Sequence, residues 1–302
     1  FTEYSEIISR KLGDRVKEWI TINDPFGNSF GNCQDELSAA NAQNLQQALA
    51  ASHHLLLAHG LATSVIRANS KNASVGISLN LLPQHPASSS LKDRKAAVWA
   101  DGYLNRWFLD PLTAKGYPQD IVNKFETKME FVKEGDLDII TEPIDFLGIN
   151  YVPYNFLHSQ KIKVMESIPS EEIFDEKHSA QLSNIDSRGL LEILGRLYFN
   201  YAFPSFYIIG NEYISQNQAS KNNTDSNRLA NLYDQLSFIH CAIQIDIPVL
   251  GYFTGSLSNN TWQEMENAER IGSVKNENDT RKFKATSNFE DPTRLSLKTQ
   301  VI

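Results

Sequence analysis

Short apolar runs alternate along this chain with longer stretches whose apolar residues recur at helical spacing. Val75, Ile77 and Leu79 alternate with small or polar residues, which predicts a strand over 74–81. Four further runs have the same short apolar character: Trp19–Asn23, Asp145–Tyr151, Phe206–Ile209 and Pro248–Phe253. Between them, 1–19, 39–61, 93–109, 189–200 and 227–246 read as helices, the second ending near Gly60. Strands and helices in alternation are the signature of a parallel sheet with crossover helices. Residues 161–187 are polar and irregular and read as a long loop; 276–302 read as a charged, loosely held end. No short repeat interrupts this order, so 1–302 reads as a single domain.

Five βα units do not close an eight-stranded barrel, and a parallel strand left as an uncovered edge is costly. Roughly three units precede Phe1 in the intact protein, or the sheet is open, or a partner chain covers its edges. The sequence opens Phe1-Thr2-Glu3-Tyr4, without Met or a signal pattern, so a processed or truncated start is expected.

At 302 residues and 41% hydrophobic content the chain can bury a sizeable core. A net charge of -8 with a pI near 5.4 gives no footprint for nucleic acid. No run of 18 apolar residues occurs, so no membrane span is expected. Cys33 and Cys241 lie far apart and read as buried or half-buried thiols rather than a disulfide. Sequons at Asn72, Asn222, Asn259 and Asn278 do not decide between a cytoplasmic and a secreted protein.

Thr21-Ile22-Asn23-Asp24-Pro25 places an amide and a carboxylate where a strand stops. It resembles the Thr-x-Asn-Glu-Pro signature of the family 1 glycoside hydrolases, the β-glucosidase family. Leu12–Trp19, His53–Gly60, Val75–Asn80, Asp101–Tyr103, Trp107–Leu112, Gly116–Pro118 and Asp145–Tyr151 match other family segments in order. Arg228, His240, Ala242, Ile243 and Pro248–Phe253 follow. The resemblance covers nearly the whole chain and implies an α/β fold of (β/α)8 TIM-barrel type. This chain would hold about the last five units, as an incomplete or open barrel.

The resemblance also assigns chemistry. Retaining glycosidases use two carboxylates about 5–5.5 Å apart, at the C-terminal ends of barrel strands. The acid/base position falls on Asp24, one methylene shorter than the family's Glu, so its oxygens stop about 1.3–1.5 Å short. As the plainer alternative, Asp24 caps the segment that follows it. Asn23 and Asn150 are implied as substrate-binding residues. The family's nucleophile motif, Tyr-Ile-Thr-Glu-Asn-Gly, meets Tyr207-Ile208-Ile209-Gly210-Asn211-Glu212 here. The nucleophile position is therefore Gly210, which offers no attacking atom. Glu212 is a weak substitute, displaced by about 6.6 Å if the strand continues. The Tyr expected second after Asn150 is Val152, and the Trp opening the sugar-clasping motif is Gly255. Trp262 survives as a candidate for stacking on a sugar face.

No metal and no cofactor are expected. His53, His54 and His59 share one helix, but His54 and His59 are five apart, off the i, i+4 spacing of a helical metal pair. Trp99, Tyr103 and Trp107 recur every four residues, the spacing of a packed helix face. The chain reads as a β-glycosidase-like protein for a β-linked glycoside, with retaining activity weak or lost. The alternative is a pseudo-glycosidase serving as a carbohydrate-binding or protein-interaction scaffold.

Overall fold

The computed structural model describes residues 1–30, 42–125, 129–151, 155–157, 188–209, 225–253, 274–276 and 283–285. Helix α1 (Thr2–Leu12) leads into strand β1 (Glu18–Asn23), the short helix α2 (Pro25–Ser29) and the long helix α3 (Ala42–Asn69). Strands β2 (Ser74–Leu81) and β3 (Gln84–Pro86) come next. Helix α4 (Leu91–Asp101), a π turn (Gly102–Arg106) and helix α5 (Trp107–Leu112) then form one continuous run. Helices α6 (Gln119–Phe125) and α7 (Asp136–Ile140) precede strands β4 (Phe146–Tyr151) and β5 (Asn155–Leu157). Helix α8 (Arg188–Tyr201), strand β6 (Phe206–Ile209), helix α9 (Asp225–Gln244) and strand β7 (Val249–Phe253) complete the alternation.

Five strands make one parallel sheet in the order β1-β2-β4-β6-β7, as consecutive strands of a closed barrel would. The two small strands β3 and β5 pair in parallel beside it and have no counterpart in the sequence reading. Val274–Asn276 (β8) and Phe283–Ala285 (β9) form an antiparallel ribbon. Four residues of the stretch expected to be loose, Asn276 and Phe283–Ala285, are thus paired; residues 161–187 lie outside the described residues.

The two faces of the sheet differ in kind. Val75, Ile77, Leu79 and Leu81 of β2 belong to the apolar clusters formed with the helices. So do Leu147, Ile149 and Tyr151 of β4, and Phe206 and Ile208 of β6. Each fully buried side chain of this size contributes about 1.5–3 kcal/mol through its removal from water. Gly76, Ser78 and Asn80 point the other way and stand opposite Phe146, Gly148 and Asn150. Small and polar side chains therefore line the inner face toward the C-terminal strand ends, while branched ones face the helices. The edge strands β1 and β7 expose Ile20, Leu250 and Phe253.

Two helix boundaries differ from the sequence reading, each for a local reason. Helix α1 stops at Leu12, where Gly13 and Val16 close the last turns onto Ser9 and Leu12 carbonyls. A Cβ on Gly13 would also press on Ser70 at 2.8 Å. Helix α3 runs on past Gly60 to Asn69. Gly60 is a crossing point rather than a terminus: a Cβ there would sit 1.9 Å from the Ile139 carbonyl oxygen of α7. The apolar stretch Leu45–Asn69 is long enough to cross a membrane by length and composition alone, but half of it is buried in the molecule. That is the pattern of a core helix, and α3 packs on α1, α7, β1 and β2.

Tyr103 and Trp107 are buried and Trp99 stacks on Tyr103, as expected of a packed helix face. His53 and His59 are core residues. His53 meets the Tyr117 hydroxyl at 2.9 Å and Asp136 at 3.0 Å, tying α3 to α7 and to the turn after α5. Cys241, expected to be at least half-buried, is exposed on α9, whose outer face it shares with His240. Cys33 lies outside the described residues.

His59 anchors β1 to α3. The Thr21 hydroxyl donates to the Gly76 carbonyl at 3.2 Å, so His59 Nδ1–H donates to the Thr21 oxygen at 2.6 Å. Burial, with a smaller push from Arg67, lowers the His59 pKa to about 3. The unfolded chain binds a proton on this imidazole below its ordinary value of about 6.5, whereas the folded chain stays neutral. Stability from this group is therefore complete above that value and is lost as pH falls toward about 3, by up to about 1.4 kcal/mol per pH unit. Urea unfolding between pH 7 and pH 4 is expected to show this slope, and His59→Gln is expected to flatten it.

Candidate functional site

The site is built where β1 ends. A bulge sets Thr21 and Ile22 against the single residue Ile77, so that Ile20 pairs with Gly76 and Asn23 with Ser78. Asn23 is thereby aimed onto the inner face. Asp24 continues the ladder, its N–H donating to the Ser78 carbonyl at 3.0 Å, and then turns the chain in a left-handed conformation (φ 50°). Asp is one of the residues that tolerates this region. Pro25 opens α2 at the position that suits its fixed φ, and Asp24 caps the helix by accepting from Gly27 N–H at 2.8 Å. A Cβ on Gly27 would sit 2.2 Å from Asp24 Oδ2, so the folded-back carboxyl requires glycine there. The Asn28 amide closes the turn onto the Asn23 and Asp24 carbonyls at 2.9 and 2.8 Å.

Three asparagines meet Asp24 at the strand ends. Asn80 and Asn150 stand directly opposite each other on β2 and β4. Asn150 Nδ2 donates to Asn80 Oδ1 at 2.8 Å and to Asn23 Oδ1 at 3.0 Å. Asn80 lies close enough to the Asp24 carboxyl to favour its charged form. Burial raises the Asp24 pKa, opposed by the Gly27 N–H and by Asn80. The result is a half-buried carboxyl among amides, open to solvent on the side of Asn23, which is exposed.

The structure places Asn23 and Asp24 at the end of β1 and Asn150 at the end of β4, with Asn23 and Asn150 in direct contact. Asn80 is a fourth member that the sequence reading passed over, although it ends a strand pattern with a polar residue. The capping alternative for Asp24 is realised as a hydrogen bond, without removing the carboxyl from the cluster. Gly210, Glu212 and Trp262 lie outside the described residues, as do Val152 and Gly255. Strand β6 ends at Ile209, and Ile208 pairs with Ile149, one residue before Asn150. Among the described residues no three His, Cys, Asp or Glu side chains gather to hold a metal ion.

Parallel strands in barrel order, with a carboxyl and amides at their C-terminal ends, match the architecture of a (β/α)8-type barrel. The sequence profile described as glycosyl hydrolase family 1 matches residues 1–290, and the chain belongs to this family. It is 31% identical over 271 residues to β-glucosidase A of Acetivibrio thermocellus, covering 86% of this chain and 59% of that protein. It is 29% identical over 303 residues to the furostanol glycoside 26-O-β-glucosidase of Hellenia speciosa, covering 91% of this chain and 54% of that one. The chain thus spans somewhat over half the length of these relatives. Among solved structures, the AHE enzyme of Alicyclobacillus herbarius superposes with a TM-score of 0.80 at 25% identity, over 99% of this chain and 68% of that one. The psychrophilic β-glucosidase BglU of Micrococcus antarcticus gives 0.74 at 30% identity, over 94% and 66%. The fold is α/β of the (β/α)8 barrel type, of which the described residues form five consecutive strands.

The Asp24 cap predicts a split between two substitutions. Asp24→Ala removes the acceptor for Gly27 N–H and is expected to cost about 1 kcal/mol in urea unfolding. Asp24→Asn keeps an oxygen at the cap and is expected to stay within about 0.5 kcal/mol of the parent.

Proposed function

We propose that this chain is a β-glycosidase-like protein for β-glucoside-type substrates whose retaining chemistry is weak or lost. The observation that carries the reading is the cluster of Asn23, Asp24, Asn80 and Asn150 at the ends of three adjacent strands. It supplies a protonatable carboxyl for a leaving oxygen and an exposed amide for a sugar hydroxyl. In β-glucosidase from Thermotoga maritima, a relative of similar fold, glucoimidazole is bound. A sugar of that kind fits the polarity of the cluster.

Gly210 supports the loss of double displacement. With no side-chain oxygen at the expected nucleophile position, a glycosyl-enzyme ester has no atom to form on. Asp24 supports it too, since its shorter side chain is partly spent on the α2 cap. A misplacement of about 1 Å at a reacting group costs on the order of a hundredfold. The cap also favours a second reading, a catalytically inactive scaffold that retains carbohydrate binding. The open edges at β1 and β7, which expose Ile20, Leu250 and Phe253, fit coverage by further chain or by a partner.

An external nucleophile tests the reading. The chain alone is expected to hydrolyse an aryl β-glucoside no faster than solvent does. Azide is expected to attack the anomeric carbon as the phenol leaves with a proton from Asp24, giving the inverted glucosyl azide. Asp24→Ala is expected to abolish that product. Azide-free hydrolysis that Asp24→Ala abolishes would overturn the proposed loss of retaining chemistry, and absence of azide rescue would leave the inactive scaffold.

A further inference from the structure

We infer that Asn150 is a positioning residue for Asn23: its side-chain nitrogen holds the Asn23 carbonyl oxygen, so that Asn23 turns its N–H hydrogens outward and takes an acceptor oxygen such as a sugar hydroxyl. The inference deepens the reading above, on which it rests for a sugar as the ligand.

The placement follows from unequal strand lengths. Strand β2 lies between β1 and β4 in the sheet. Asn150 on β4 stands directly opposite Asn80 on β2. Strand β1 ends sooner, and its last residue, Asn23, pairs with Ser78. Asn80 follows Ser78 by two residues, so both lie on the same inner face. The row beneath the amides is made of small residues, with Ser78 facing Gly148. A Cβ on Gly148 would sit 3.0 Å from Ser78 Cβ and 2.7 Å from the Ile209 side chain. Asn150 reaches across this row to Asn23 on the far strand.

Counting donors and acceptors separates the two residues that the family resemblance implies as sugar contacts. A side-chain amide nitrogen carries two hydrogens. Asn150 commits both, one to Asn80 Oδ1 at 2.8 Å and one to Asn23 Oδ1 at 3.0 Å. Its nitrogen can serve a ligand only by giving up one of these bonds. Asn23 is in the opposite state. Its oxygen is engaged, its residue is exposed, and among the described residues its Nδ2 has no partner. The Asn28 amide also holds the Asn23 backbone carbonyl at 2.9 Å, so Asn23 is fixed at both its backbone and its side chain. Asn23 is therefore the contact and Asn150 its support.

The strand between them is pinned as well. Asn105, buried in the π turn, donates through Nδ2 to the Leu82 carbonyl at 2.8 Å. It accepts from Leu82 N–H through Oδ1 at 3.2 Å. These are the two bonds an adjacent strand would make, supplied two residues past Asn80. Asp101 holds Asn105 at 2.8 Å and is itself gripped by Arg196 at 2.9 Å and Arg106 at 3.2 Å. The Asn80 oxygen is thus a fixed second anchor for the Asn150 amide, which keeps the other hydrogen aimed at Asn23.

The test is water exchange of side-chain amide hydrogens, read by NMR in the nitrogen-15-labelled full chain without glycoside, with signals assigned by substitution. The Asn150 hydrogens are expected to exchange more slowly than those of Asn23. Asn150→Asp, read at a pH where the new carboxyl is ionised, offers an acceptor in place of the donor. The Asn23 amide is then expected to turn its nitrogen inward and its exchange to slow. A merely structural Asn150 would lower the thermal midpoint and leave Asn23 exchange where it is. Unchanged Asn23 exchange in folded Asn150→Asp overturns the inference. Asn23 hydrogens exchanging as slowly as those of Asn150 in the parent chain overturn it whether or not the variant folds. Glucoimidazole affinity reads the consequence: Asn150→Ala is expected to weaken it about tenfold in the parent and little further in Asn23→Ala. Equal weakening in both backgrounds overturns the claim that Asn150 acts through Asn23. Glucoimidazole that does not bind the parent chain counts against the functional reading, whereas the exchange result counts for or against Asn150 alone.

Discussion

The parallel pairing of Gly76–Leu81 with Phe146–Tyr151 is the constraint on which the rest of the site depends. Its register sets Asn80 against Asn150 and Ser78 against Gly148, so polar and small residues share one face to the end of both strands. A shift of one residue would turn every one of these side chains toward the helices and expose Ile77, Leu79, Leu147 and Ile149. The apolar contacts behind the sheet therefore fix the polar contacts in front of it. The bulge in β1 extends the same logic, sending Thr21 to His59 on α3 while Asn23 reaches the inner face.

Much of the scaffold was legible from the sequence because its signals are local. The strands 74–81 and 206–209 coincide with their predicted spans, since their apolar residues face helices on one side and small residues on the other. Gly60 was misread because a glycine at a helix crossing and a glycine at a helix end look alike until α7 is in place. The π turn at 102–106 leaves no mark in the periodicity, yet it is what turns Asn105 toward Leu82. Asn80 was passed over for a similar reason. Its meaning lies in register with a residue seventy positions away, which no local pattern records. Asp24, by contrast, carried both of its readings in Asp-Pro at a strand end, and the structure gives it a cap and a place in the amide cluster together.

The proposed function separates scaffold from chemistry in this chain. The positions that pack helices on the sheet hold the residues expected of the family, and the strand ends still gather amides around a carboxyl. On the proposed function, the departures fall where bonds would be made and broken, at Asp24 in the cluster and at Gly210 in the sequence. An aspartate whose carboxyl caps a helix is anchored close to the protein. That geometry suits a fixed polar pocket for a sugar more readily than a proton donor that must reach a leaving oxygen.

The central claim is that the amide cluster still recognises a glucose-like ring. Glucoimidazole titrated into the nitrogen-15-labelled chain tests it most directly, with the side-chain amide signals of Asn23, Asn80 and Asn150 assigned by substitution. The account predicts saturable shifts in the Asn23 amide, with smaller shifts at Asn80 and Asn150, and their loss in Asn23→Ala. Amide signals that stay in place at millimolar glucoimidazole would contradict it.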